Sequence, residues 1–156
     1  MKTKIDDLEK TYQLCKSMGN IKEKHPDIEL IKSVKNVSEM GLKFIKNKSK
    51  NISKDRNEWT FVFRGYYESL RGLIEAYLLF DGISSDNHQC KNAYLCFRHK
   101  ELDLNWEFLE TARLKRNAIN YRGQLLKYGD WKTMKLNFEL HFNALKKEVE
   151  NKIEKY

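Results

Sequence analysis

Residues 56–80 read RNEWTFVFRGYYESLRGLIEAYLLF. Trp59, Phe63, Tyr66, Tyr67, Leu70, Leu73, Ile74, Tyr77 and Leu78 recur at helical spacing, with further apolar residues between them. Such a pattern predicts a helix from about Arg56 to Phe80. A helix that apolar belongs at the centre of a core. Asp81-Gly82 supplies its stop.

The flanking sequence is also helical in period. Upstream, Ile5, Leu8, Tyr12 and Cys15 predict a helix over 5–18, with Gly19 as its end. His25-Pro26 opens a second helix, because proline tolerates a first turn, and its apolar stripe runs from Ile28 to about Lys46. The polar run 47–55 reads as a loop. Downstream, Ser84, Ser85 or Asp86 is expected to cap a helix carrying Cys90, Ala93, Tyr94 and Phe97. A helix from about Asn105 to Tyr121 follows. Asp130 is expected to cap a last one carrying Trp131, Met134, Phe138, Phe142, Leu145, Val149 and Ile153. Only 7 glycines and 1 proline punctuate 156 residues, too few for the many turns of a sandwich or barrel. No period-two alternation is sustained, so no sheet is expected. The fold class is all-α, an antiparallel helical bundle in one domain.

Thirty Lys and Arg against 22 Asp and Glu give a net charge of +8. That balance attracts phosphate backbones, although the lysines are spread along the chain. Cys15, Cys90 and Cys96 are odd in number and form no CxxC pair, so neither a disulfide framework nor a zinc ribbon is expected. The four histidines form no HxxxH or HExxH pair, and no phosphate-cradling Gly-rich loop or GxSxG elbow occurs. No metal and no cofactor is expected. The first residues lack the apolar core of a leader, and no run reaches spanning length. The cytoplasm is the expected compartment, with no membrane partner.

Arg113-Leu-Lys-Arg116-Asn117-Ala-Ile-Asn120-Tyr121 carries the most chemistry. On a helix, Arg113, Asn117 and Tyr121 form one row and Arg116 and Asn120 the next. Such a face can hold a phosphate by charge-assisted hydrogen bonds. From the pattern alone, a solvated basic last turn is the stronger reading. Arg64, Glu68, Arg71 and Glu75 make a polar row on the central helix, either as surface pairs or, for Arg71 and Glu75, as partners of the Arg113/Asn117 face. His88 lies near the start of a helix. Positive charge is disfavoured there, so a neutral imidazole able to accept a proton is expected.

The order of pieces resembles a HEPN domain, the all-helical higher eukaryotes and prokaryotes nucleotide-binding family. An aromatic-to-aliphatic helix ends in Gly82, a short loop leads to His88, a helix bears Arg116-Asn117-Ala-Ile-Asn-Tyr121, and an amphipathic helix closes the chain. The resemblance covers residues 27–156 and leaves 1–26 as an N-terminal helical appendage. Order and spacing together reverse the preference for a bland surface.

The resemblance implies a homodimer with a site in the cleft between protomers. Active HEPN ribonucleases carry Arg-x(4–6)-His and cleave RNA without metal. Arg116 and Asn117 match that motif, whereas Tyr121 stands at the histidine position and is a poor general base near neutral pH. In some HEPN toxins a tyrosine two residues further on is nucleotidylated by an antitoxin partner; Gly123 stands there.

The expectation is therefore binding of RNA or a nucleotide phosphate. Arg116, Asn117 and Tyr121 hold the catalytic positions, and Arg113, Arg116, Asn120, Arg71, Glu75 and His88 contact the nucleic acid. One alternative is a metal-independent endoribonuclease toxin with a nucleotidyltransferase antitoxin. The other is a structural or interaction bundle with no ligand site.

Overall fold

The computed structural model describes residues 4–156. Six α-helices are found among them: α1 (Leu8–Ser17), α2 (Ile28–Ser49), α3 (Trp59–Phe80), α4 (His88–Arg98), α5 (Trp106–Arg122) and α6 (Tyr128–Glu154). A short 3-10 turn, Lys100–Leu102, joins α4 to α5. The chain is an all-α antiparallel bundle.

Helix α3 is its axis, packing along α2 on one side and α6 on another. Val62, Phe63, Leu73 and Ala76 are fully enclosed. Phe138 of α6 sits where three helices meet, edge-on to Phe63 (5.6 Å) and to Phe108 of α5 (5.0 Å). Glycine decides how closely α2 and α3 approach. A Cβ on Gly72 would stand 2.0 Å from Ser38 Oγ, which is sterically impossible without movement.

Caps account for most differences from the expected boundaries. Asp27 accepts from the N–H groups of Glu29 and Leu30, so α2 starts one residue after it. Helix α2 then continues through residues 47–49, which were expected in a loop. Asn87, and not Ser84, Ser85 or Asp86, caps α4 by accepting from Cys90 N–H. Asp130 lies inside the first turn of α6, where its carboxylate accepts from Lys127 N–H.

Two expectations are corrected. A minimal antiparallel sheet exists: β1 (Lys22–Glu23) pairs with β2 (Ile83–Ser84). Gly82 makes it feasible: its φ of +68° turns the chain, and its carbonyl accepts from Lys24 N–H at 2.7 Å. The second correction is a disulfide between Cys15 of α1 and Cys90 of α4. An odd cysteine count and separated positions cannot reveal a pair brought together by the fold, while Cys96 stays free and buried. Residues 4–26 are thus tied to the bundle by the disulfide, the strand pair and the stacking of Tyr12 on Phe97 (4.5 Å).

Candidate functional site

The polar residues of α3, α4 and α5 converge at one seam. Glu68 is one turn from Arg71 on α3, and its carboxylate reaches both Arg71 Nε (3.3 Å) and Arg116 Nε of α5 (3.4 Å). The second contact is an ion pair without hydrogen-bond geometry, and Arg116 Nε is buried with no hydrogen-bond partner. The Arg116 guanidinium also lies 5.8 Å from the centre of the Tyr67 ring, a cation–π contact.

His88, the first residue of α4, faces the same seam. Arg71 Nη1 donates to His88 Nε2 at 2.9 Å. An arginine has only donors, so Nε2 must be the bare nitrogen and Nδ1 carries the proton. Nδ1 then faces the Tyr67 hydroxyl oxygen at 3.5 Å. Burial, followed by the charge of Arg71, pushes the His88 pKa down to about 4, so the ring is neutral at physiological pH. The expectation of a neutral His88 is met in state, with burial as its main cause. Its acceptor nitrogen, however, is already engaged by Arg71. Burial likewise raises the Tyr67 pKa to about 12, so its hydroxyl stays protonated.

The neighbouring network is anchored by Glu110, only 1% exposed. Arg113 donates to both its oxygens at 2.9 Å, Gln89 donates at 2.8 Å and Asn92 at 3.3 Å. Four donors thus satisfy one buried carboxylate. Lys91, also buried, pairs with Glu75 at 3.7 Å. Arg71 and Glu75 therefore do not pair with an Arg113/Asn117 face. Their partners are Glu68 and His88 for Arg71, and Lys91 for Glu75.

Helix geometry separates the remaining expected residues. Arg116 and Tyr121 are five residues apart, roughly 140° around a helix. Arg116 turns inward to α3, whereas Tyr121 is 78% exposed and lines an outer groove with Asn117, Leu114 and Glu107. Asn120 lies at the edge, within 3.5 Å of Arg64. The seam brings together Arg71, His88, Arg113 and Arg116, with Glu75 beside them. It leaves Asn117, Asn120 and Tyr121 outside. Tyr67, Glu68, Gln89, Lys91, Asn92 and Glu110 belong to it without having been singled out for it. Glu68 and Glu110 carried a signal, their i,i+3 spacing to Arg71 and Arg113.

Behind the seam, Tyr67, Arg71, His88 and Lys91 line a cavity of about 10 Å³, room for about one water. That cavity is too small for an anion the size of phosphate.

No protein-family model, curated protein or solved structure matches this chain. Among the described residues, no group of three or more His, Cys, Asp or Glu is arranged to hold a metal ion. Among the same residues, no helix is long and apolar enough to cross a membrane.

Proposed function

We propose that this chain is a HEPN-like domain, working in the cytoplasm, that binds a phosphate of RNA or of a nucleotide at the mouth of the α3–α4–α5 seam. Arg116 and Arg71 are the anion-holding pair. The observation that carries this reading is the buried Arg116 Nε without a hydrogen-bond partner, beside a second arginine bridged by the same carboxylate. Glu68 occupies the position of the ligand: it is an anion held between two guanidinium groups. At 41% side-chain exposure it can swing into solvent and yield its place. Tyr67 adds a further donor, because its oxygen faces His88 Nδ1–H and its own O–H is free to point elsewhere.

The partner we propose is a second copy of the chain, docked on the α2–α3 face. Val37, Phe44 and Phe61 are all exposed there, around a groove of about 670 Å³. Along its edge, Arg64, Glu68, Arg71 and Glu75 alternate in sign. In a two-fold antiparallel pair, Arg64 of one protomer meets Glu75 of the other and Arg71 meets Glu68, so the row complements itself. The centre of the row falls between Glu68 and Arg71, so the phosphate seams of the two protomers flank the two-fold axis.

Retention of single-stranded RNA at low salt, and its release as salt rises, tests the reading. Arg116→Ala should weaken binding by about 1–3 kcal/mol, the range for a charged hydrogen bond. Glu68→Gln should tighten it, because the internal competitor is gone. Equal weakening by both variants would mean the pair is only a structural bridge. Arg116-dependent cleavage in the presence of EDTA would promote the ribonuclease reading, and no retention at any salt would favour the ligand-free bundle.

A further inference from the structure

The Cys15–Cys90 disulfide is the covalent part of the contact between α1 and α4. Thr11, Tyr12 and Cys15 are the buried residues of α1, and α4 is the helix they pack on. Cys90 lies in the first turn of α4, two residues after His88. The residue between them, Gln89, donates from one amide to Asp6 just before α1 (3.1 Å) and to Glu110 (2.8 Å). One short turn therefore carries the disulfide, the link to Glu110 and Arg113, and the imidazole that holds Arg71.

Both cysteines are buried, yet a groove of about 430 Å³ opens over them, lined by Asp6, Leu14, Cys15, Met18, Gln89 and Cys90. We propose that this disulfide is a thiol–disulfide exchange site for a dithiol reductant, and that its redox state sets the anion affinity of the seam. The proposal rests on the phosphate-binding reading above and adds its regulation. It also fits the proposed compartment, where disulfides are characteristically transient or redox-sensing.

The exchange has a preferred direction. Cys90 sits at the positive end of α4 and Cys15 near the negative end of α1. A departing thiolate is better stabilised at Cys90, so the dithiol attacks Cys15 Sγ. The Sγ–Sγ bond breaks, a mixed disulfide forms on Cys15, and Cys90 leaves as the thiolate. The second thiol of the reductant then attacks its own bound sulfur and releases Cys15. The protein gains two electrons and two protons, and the reductant becomes a disulfide. Cys96 takes no part: it is buried, and burial raises its pKa to about 12. Once cut, α1 is held on α4 only by the packing of Tyr12 and the Asp6–Gln89 contact, so it loosens, and the first turn of α4 holds His88 less firmly against Arg71.

The experiment uses the full chain and a fluorescein-labelled single-stranded RNA, with and without dithiothreitol. Maleimide labelling under denaturing conditions should count one thiol before reduction and three after, from the 3 cysteines present. Reduction should weaken RNA binding about tenfold, within the usual range for coupled sites, and reoxidation should restore it. Cys15→Ser should bind weakly in both conditions. Hydrogen exchange over residues 8–17 should rise on reduction while α3 stays protected, which separates loosening of α1 from general unfolding. Three thiols in the oxidised protein would overturn the proposal. RNA affinity unchanged on reduction would overturn the coupling and leave the phosphate-binding reading standing. No RNA binding in either state would overturn that reading and the coupling with it.

Discussion

Glu110 shows what a single buried charge requires. Its carboxylate is enclosed, and Arg113, Gln89 and Asn92 together supply the hydrogen bonds that water would otherwise give. Glu110→Ala should cost about 3–5 kcal/mol in urea unfolding, since the guanidinium loses its counter-charge. A loss below about 1 kcal/mol would mean that Arg113 finds solvent easily. His88 makes a prediction in pH. Its folded pKa of about 4 lies below its ordinary 6.5. Between those values the unfolded chain binds the proton and the folded one does not. Stability from this residue is therefore complete above pH 6.5 and is lost as pH falls toward 4. His88→Gln should flatten that part of the stability–pH curve, measured by thermal melts across the window. An unchanged slope would show that the imidazole protonates freely in the folded state.

At the level of elements, α2 and α3 approach closely where Gly72 faces Ser38. Gly72→Ala drives a methyl into Ser38 Oγ and should destabilise by about 1–3 kcal/mol. Ser38→Ala in the same chain removes that oxygen, and the nearest remaining atom, the Cβ, is 3.3 Å away. The double variant should recover part of the loss; no recovery would place the strain elsewhere. Leu73→Ala, at a fully buried position of α3, should cost about 2–5 kcal/mol in the same assay. Helix α3 was legible because its apolar residues repeat at the helical period over the whole segment. Helix α5 was harder, because Glu110, Arg113 and Arg116 are turned toward other helices and its polarity no longer marks its outer face. Arg116 and His88 could be singled out by residue type and position. Glu68 stood out only as a member of the polar row on α3, and Tyr67 not at all, since only the approach of α4 and α5 gives them His88 and Arg116 as neighbours. The Cys15–Cys90 pair was hidden for the same reason, being a contact between helices far apart in sequence.

For the whole molecule, the exposed α2–α3 face predicts association. Light scattering at micromolar concentration should give the mass of a dimer, and Phe44→Glu should give a monomer without loss of helicity. A monomeric parent would remove the two-fold reading of the Arg64–Glu75 row. Cutting the disulfide should lower stability by about 2–4 kcal/mol, as for other bridges closing long loops, measured by urea unfolding with and without reductant. The bridge also has a mechanical consequence. Cys15 and Cys90 are 75 residues apart, and the ring they close contains all of α2 and α3. A molecule held by its two ends and stretched can extend only the segments outside that ring, so α3 is shielded from the load. Reduction should lengthen the fully stretched tether by roughly 250 Å, at about 3.4 Å for each residue released, and expose the central helix to tension for the first time.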